Sequence, residues 1–202
     1  MRPVQTRSAG FTLLEIMVVV AIIGIVALMG LPALQNFILR SKHEGAARQI
    51  SILMHRAKME AVKQSVPTVV SVDTANETVT AFADVNNDGN YAFDPDAGAD
   101  YRTTDYQIGG TYKLPAGVDF LAPGTEAVVK DFEDVSWNTD NVVVFRSDGS
   151  VLETGAYRTG DLQGNYLEVA IEPKATAKVQ IRKWDGAAFL AQGEGGKTWE
   201  WQ

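Results

Sequence analysis

The chain has 202 residues, 46% of them hydrophobic and 21% charged, a composition that excludes collagen-like, mucin-like and wholly disordered classes. Eighteen Lys and Arg against 25 Asp and Glu leave a formal charge of -7, which works against a phosphate-backbone partner. With no cysteine and only His43 and His55 as histidines, a disulfide framework, a thiolate zinc site and a cysteine nucleophile are excluded.

Residues 1–10 carry Arg2 and Arg7 and no acid. Residues 11–34 then read FTLLEIMVVVAIIGIVALMGLPAL, 24 residues whose only charge is Glu15. About 20 apolar residues suffice for a helix to cross a bilayer core. The basic flank keeps the N-terminus cytoplasmic and exports the remainder. The run is longer than the core of a secretory signal and reads as a single-span anchor. Three features exceed what an anchor needs. The leader stops abruptly at Ala9-Gly10-Phe11. Glu15 sits one turn into the run, where an acid costs roughly 2.5 kcal/mol or more at mid-span and less near an end. Pro32, preceded by Gly24 and Gly30, removes a helical hydrogen bond, so a kink or local melting is expected there.

Gly10-Phe11-Thr12-Leu13-Leu14-Glu15 resembles the processing motif of type IV pilins and type II secretion pseudopilins. The resemblance implies that residues 1–10 are a class III leader. A prepilin peptidase cuts it between Gly10 and Phe11, and Phe11 becomes the N-methylated terminus. It makes Glu15 the fifth mature residue and places Pro32 on the family's helix-breaking proline. It also implies a filament in which one subunit's Glu15 neutralises a neighbour's terminal amine. In a low-dielectric core that attraction is far stronger than in water, and an unpaired carboxylate is correspondingly costly. Residues 11–34 then serve first as membrane anchor and later as filament core.

Downstream the pattern turns amphipathic. Ala47, Ile50, Leu53, Met54, Ala57 and Ala61 recur at three- and four-residue spacing, with Arg48, His55, Arg56, Lys58 and Lys63 elsewhere on the wheel. Residues 35–64 are therefore an amphipathic continuation, ending near Gln64 because Pro67 disfavours helix at Val66. Unbroken, residues 11–64 would span ~80 Å, although Pro32 and Gly45 argue against strict continuity. His43 and His55, twelve positions apart, read as one face of the helix and as packing or solvated residues, not as ligands.

From 65 to 202 the chain reads as a β-rich globular region. Strands are expected at 69–72, 78–82, 142–145, 166–171 and 177–184, the last two forming a hairpin through Glu172-Pro173-Lys174. Residues 145–151 read as strand, tight turn and strand. The expected class is α+β: one long N-terminal helix, transmembrane then amphipathic, packed on antiparallel sheet.

Asp84, Asn86, Asp88 and Asn90, with Gly89, match the first half of a calcium loop. The bidentate acid expected at the twelfth position falls on Pro95, flanked by Asp94 and Asp96, so calcium is the one candidate cofactor. An Asx-rich turn is the competing reading. The run around Asp84, together with Phe145-Arg146-Ser147-Asp148-Gly149, resembles pseudopilin H and related minor pilins. The chain lacks the C-terminal cysteine pair of many major pilins.

No catalytic constellation emerges. Gly193-Glu194-Gly195-Gly196-Lys197-Thr198 lacks phosphate-loop spacing, and the acids form no specific pair. The sequence reads as a minor pilin or pseudopilin that helps to initiate and cap a type IV pilus or type II secretion pseudopilus. Its expected partners are other pilins or pseudopilins, the prepilin peptidase, an inner-membrane assembly platform and membrane lipid. Its globular region is expected in the periplasm and then in the fibre. The alternatives are a surface- or DNA-binding minor subunit, with Arg158, Lys174, Lys178, Arg182 and Lys183 as its patch, and a major pilin.

Overall fold

The computed structural model of the chain describes residues 11–86, 93, 104–130 and 142–194. They form one helix, α1 (Leu13–Gln64), and eleven strands. The strands are β1 (Thr68–Asp73), β2 (Thr78–Ala83), β3 (Tyr106–Gln107), β4 (Tyr112–Lys113), β5 (Val118–Asp119), β6 (Val129–Lys130), β7 (Val142–Phe145), β8 (Gly155–Asp161), β9 (Tyr166–Ile171), β10 (Val179–Trp184) and β11 (Phe189–Ala191). The chain divides into two compact units, Met1–Ile38 and Leu39–Gln202, so the last 26 residues of α1 belong with the strands.

In the first unit every described side chain from 11 to 38 is exposed. The local melting expected at Pro32 is absent, as is a break at Gly45: α1 is helical from Leu13 to Gln64. Proline's fixed φ of about -65° is itself helical, so the ring removes one hydrogen bond without forcing the chain out of the helix. At Gly45 burial of the flanking residues outweighs the ~1 kcal/mol that glycine costs a helix.

In the second unit two antiparallel sheets are present. One has the order β3-β2-β1-β7, with β4 also on β2; the other has the order β11-β10-β9-β8-β5, with β6 also on β8. The inner stripe of α1 is the expected one: Ala47, Ile50, Leu53, Met54, Ala57 and Ala61 are all buried, joined by His43 and Ala46. They share one core with Val70, Val72, Val79, Ala81, Val143 and Phe145 of the first sheet and Tyr157, Leu167, Val169, Ile171 and Val179 of the second. Period-two alternation then places Val69, Phe82, Val142 and Val144 on the opposite face of the first sheet, in a separate small cluster with Leu152. Truncating a buried member such as Ile50 to alanine should cost about 2–5 kcal/mol.

Polar ties fix the register of these layers. Tyr157 Oη donates to the Val70 carbonyl (2.9 Å) between the sheets, and Thr68 Oγ1 to the Ala57 carbonyl (2.9 Å) between β1 and α1. Lys58 Nζ donates to the Thr176 carbonyl (2.5 Å), holding the β9–β10 turn to the helix. The helix ends where the sequence placed it, with Ser65 at φ 57° in the left-handed cap position ahead of Pro67. The expected turn at 145–151 is present: Gly149 lies at φ 82°, and Phe145 bridges Val151. Strand β10 begins at Val179 instead of 177, because Ala177 still belongs to the turn at φ 42°. Sequence patterning missed the short strands β3 to β6 and β11 and also β8, which is central to the second sheet. Its Gly160 is required by close packing, since a Cβ there would meet Leu121 Cβ at 2.9 Å and the Tyr166 ring at 3.0 Å.

Candidate assembly surfaces

At the head of α1, Phe11 and Thr12 precede the first helical residue, and Phe11 is 80% exposed. Thr12 Oγ1 accepts from the Glu15 backbone N–H (3.2 Å), and the Thr12 carbonyl from the Ile16 N–H (3.2 Å). Thr12 is therefore the helix cap and Glu15 the third helical residue. The Thr-x-x-Glu spacing is the signature of a capping box, a signal present in the sequence that the processing motif overshadowed. A carboxylate here also faces the partial positive charge of the helix start. Among the described residues the Glu15 side chain makes no ion pair. Gly10 lies outside the described residues. From Leu13 onward the surface is apolar on all sides, and α1 contains the one described segment long and apolar enough to cross a membrane.

Where the second unit begins, sequence reading missed a buried polar cluster. His43 Nε2 lies 3.0 Å from Thr159 Oγ1, and His43 Nδ1 lies 3.6 Å from Asp161 Oδ2. Asp161 in turn accepts from the side chain and backbone of Asn165 and from the Gln163 N–H. Lys183 is buried with them and acts on the imidazole as a like charge. Burial pushes the His43 pKa below its usual value, against an opposing pull from Asp161. His43 and Thr159 are 116 positions apart, so no local spacing could announce the pair. His55 is exposed, which corrects the expectation of one shared face. Twelve residues at about 100° each leave the two histidines about 120° apart on the wheel.

The outer side of the second sheet carries a second buried network. Arg158 Nε donates to Glu168 Oε2 (2.9 Å), and its Nη1 donates to Glu126 Oε2 (2.8 Å) and the Ala127 carbonyl (2.9 Å). Its guanidinium lies 4.6 Å from the centre of the Phe189 ring. Arg182 is held by Glu168 and Glu172. The basic patch expected from the sequence is thereby corrected. Arg158 and Lys183 are buried, Arg182 is paired, and Lys174 and Lys178 alone of the five are exposed.

Of the expected calcium-binding residues, Asp84 is buried and Asn86 half-buried. Asp88, Asn90, Asp94 and Asp96 lie outside the described residues. Asp105 Oδ1 accepts from the Val85 N–H (3.1 Å), close to where Ala83 pairs with Tyr106, so the loop's first residues are anchored by an acid twenty positions on. Among the described residues no three acidic or histidine side chains gather as a metal site.

Residues 5–31 match the family model of the prokaryotic N-terminal methylation motif. Two solved structures similar to the chain are a minor pseudopilin and a minor pilin. The first is EpsH from the type 2 secretion system of Vibrio cholerae, at 9% identity and a TM-score of 0.45 over 73% of this chain and 99% of that one. The second is the type IV minor pilin FimU of Pseudomonas aeruginosa, at 13% identity and a TM-score of 0.40 over 76% and 96%.

Proposed function

We propose that this chain is a type IV pilin-like protein that serves as a minor pilin or pseudopilin, a structural subunit that helps to start and cap a type IV pilus or a type II secretion pseudopilus. The observation that carries the reading is the methylation motif at the head of a helix whose described side chains from 13 to 38 are all exposed. An apolar surface of that extent requires lipid, other helices, or each in turn. The residues supply the sequence of events. Arg2 and Arg7 hold the leader in the cytoplasm while the second unit is exported. A prepilin peptidase then cuts between Gly10 and Phe11, and Phe11 is methylated. The new amine and Glu15 are the two charges in an otherwise apolar stretch, and they are complementary between neighbouring subunits. The role is structural, and the partners are other pilins or pseudopilins and an inner-membrane assembly platform.

N-terminal sequencing tests the first step: mature protein begins at Phe11, and Gly10→Val retains the leader. A mature chain beginning at Met1 in the presence of the peptidase refutes the reading. Glu15→Val tests the second step. Membrane insertion is unchanged or improved, since valine is favourable in lipid where an acid is not, while recovery in sheared fibres falls. Assembly equal to the parent removes Glu15 from the mechanism.

A further inference from the structure

The strands of the second sheet run along the covered part of α1, and their turns sort to two ends. The β9–β10 turn is held at Lys58 through the Thr176 carbonyl (2.5 Å). The β8–β9 turn starts at Asp161, 3.6 Å from His43, which stands about 22 Å nearer the point where the chain enters the unit. Lys183 pairs with Leu167 and Trp184 with Phe189, so the β10–β11 turn shares that entry end. Gly117 lies there too, where a Cβ would meet Leu39 at 2.9 Å. The entry end carries apolar side chains in the open. Leu162 is 79% exposed at the tip of a rigid turn, in which Asp161 Oδ1 accepts from the Gln163 and Asn165 N–H groups (both 2.9 Å). Beside it on the outer side of the sheet stand Leu121 and Tyr166, both packed on Gly160, and the tilted ring pair of Trp184 and Phe189. Leu121 is exposed and the three aromatic residues are half-buried.

We propose that this entry end of the second unit docks on the lipid surface, with Leu162 entering the headgroup layer and the aromatic rim beside it. The inference rests on the membrane-anchored reading and adds a second lipid contact to the span. Tether length selects lipid as the occupant. Residues 13–34 extend about 33 Å as a helix, enough to fill a hydrocarbon core of about 30 Å. Leu39 follows about 7 Å further along the helix, and the headgroup layer is itself roughly 5–7 Å deep. The unit that begins at Leu39 is therefore held at the membrane surface by its entry end. A helix tilt of about 20°, the average for spans, brings one side of that end lower still. The residue types agree with this placement. Tyrosine and tryptophan are favoured where a ring is apolar on one side and wet on the other. Lys42, exposed one residue before His43, supplies a cation for lipid phosphate. The contact belongs to the subunit before assembly, so it is compatible with a starting and capping role in the fibre.

The chain has no cysteine, so a single introduced one takes a nitroxide label alone. The full chain carrying Leu162→Cys, Ala187→Cys or Lys174→Cys is reconstituted in vesicles of phosphatidylethanolamine with a minor share of phosphatidylglycerol. Flotation with the vesicles checks the span first: a chain that fails to float refutes the membrane-anchored reading and the docking with it. In floated samples, power-saturation EPR compares collisions with oxygen, which concentrates in lipid, and with a water-soluble nickel chelate. Labels at 162 and 187 favour oxygen about threefold or more over the label at 174, which marks the opposite end. Leu162→Asp in the Ala187→Cys chain removes the preference at 187, so the leucine and not the label drives the contact. Thermal melts of the unlabelled variants, matching the parent, exclude misfolding. The docking alone is overturned if the chain floats but 162 and 187 are as open to nickel as 174, or if Leu162→Asp leaves 187 unchanged. It is equally overturned if shielding appears only when other subunits are reconstituted with the chain, since the occupant is then protein.

Discussion

Arg158 offers the sharpest test of what holds the second sheet together. Its guanidinium is buried and shared between Glu168, which is also buried, and Glu126, which is 45% exposed. Arg158→Ala leaves Glu168 as a buried carboxylate with one remaining cation, Arg182, at 3.5 Å. Breaking a buried pair from one side costs about 3–5 kcal/mol. The surviving contact to Arg182 places the expected loss near the lower end, ~3 kcal/mol. The Glu126 pair adds less than about 1 kcal/mol, since solvent screens it. Arg158→Met/Glu168→Leu removes both charges and fills the space, so its stability should return to within about 1 kcal/mol of the parent. Urea unfolding of residues 39–202, which contain the whole core, measures both variants, with unchanged m-values required for the comparison. Trp184, its ring tilted against that of Phe189 with centroids 5.1 Å apart, reports on the same face by fluorescence. If the double variant is as unstable as Arg158→Ala, the loss is one of packing, and the argument from an orphaned carboxylate is wrong.

The other predictions concern titration and metal. His43 is held below its usual pKa by burial, so the unfolded chain takes up more protons as the pH falls through about 6.5. Stability is full above that value and declines below it, and His43→Gln flattens the slope between about pH 8 and 5.5 in urea midpoints. Glu77 has the opposite sign, its carboxyl raised by burial and by nearby Asp119 and Asp73 against the Phe120 N–H it accepts. Its contribution is present below its unfolded value and lost above it, in a lower pH window that leaves the His43 slope distinct. Calcium is proposed for the loop at Asp84, Asn86 and Asp88. It requires the melting temperature to rise between chelator and about 10 mM calcium. Asp88→Ala removes the rise, and identical melts refute the site.

Much of the fold could be read because its signals are local. The inner stripe from Ala47 to Ala61 is a 3.6-residue period, and the end at Gln64 follows from a proline three residues on. Strands β1, β2, β7, β9 and β10 are rich in branched or aromatic residues that mark a half-buried pleat. Strand β8, Gly-Ala-Tyr-Arg-Thr-Gly-Asp, has only Tyr157 and Thr159 of that composition, between two glycines, an arginine and an aspartate. It is a strand because its two faces meet specific partners: Tyr157 and Thr159 turn inward to Val70 and His43, and Arg158 turns outward to Glu168. The two-residue strands β3 to β6 likewise exist only through the longer strands they pair with. At the candidate site, Gly10, Phe11 and Glu15 stand in one contiguous motif. The His43 cluster depends on residues over a hundred positions apart.

Exposed apolar residues and sparse charges divide the work of assembly between them. From Leu13 to Ile38 the described side chains are all exposed, although a fully buried Leu, Ile or Val contributes about 1.5–3 kcal/mol against water. That energy keeps the segment out of water but does not choose between lipid and another helix, because hydrocarbon tails are as apolar as the side chains. The choice therefore falls to groups that lipid cannot satisfy. On the proposed function Glu15 is one, an acid whose remaining cost in the membrane a neighbour's terminal amine would relieve. Removing it should leave a folded, membrane-inserted subunit that fails to join a fibre, since Glu15 does not contribute to the core of residues 39–202.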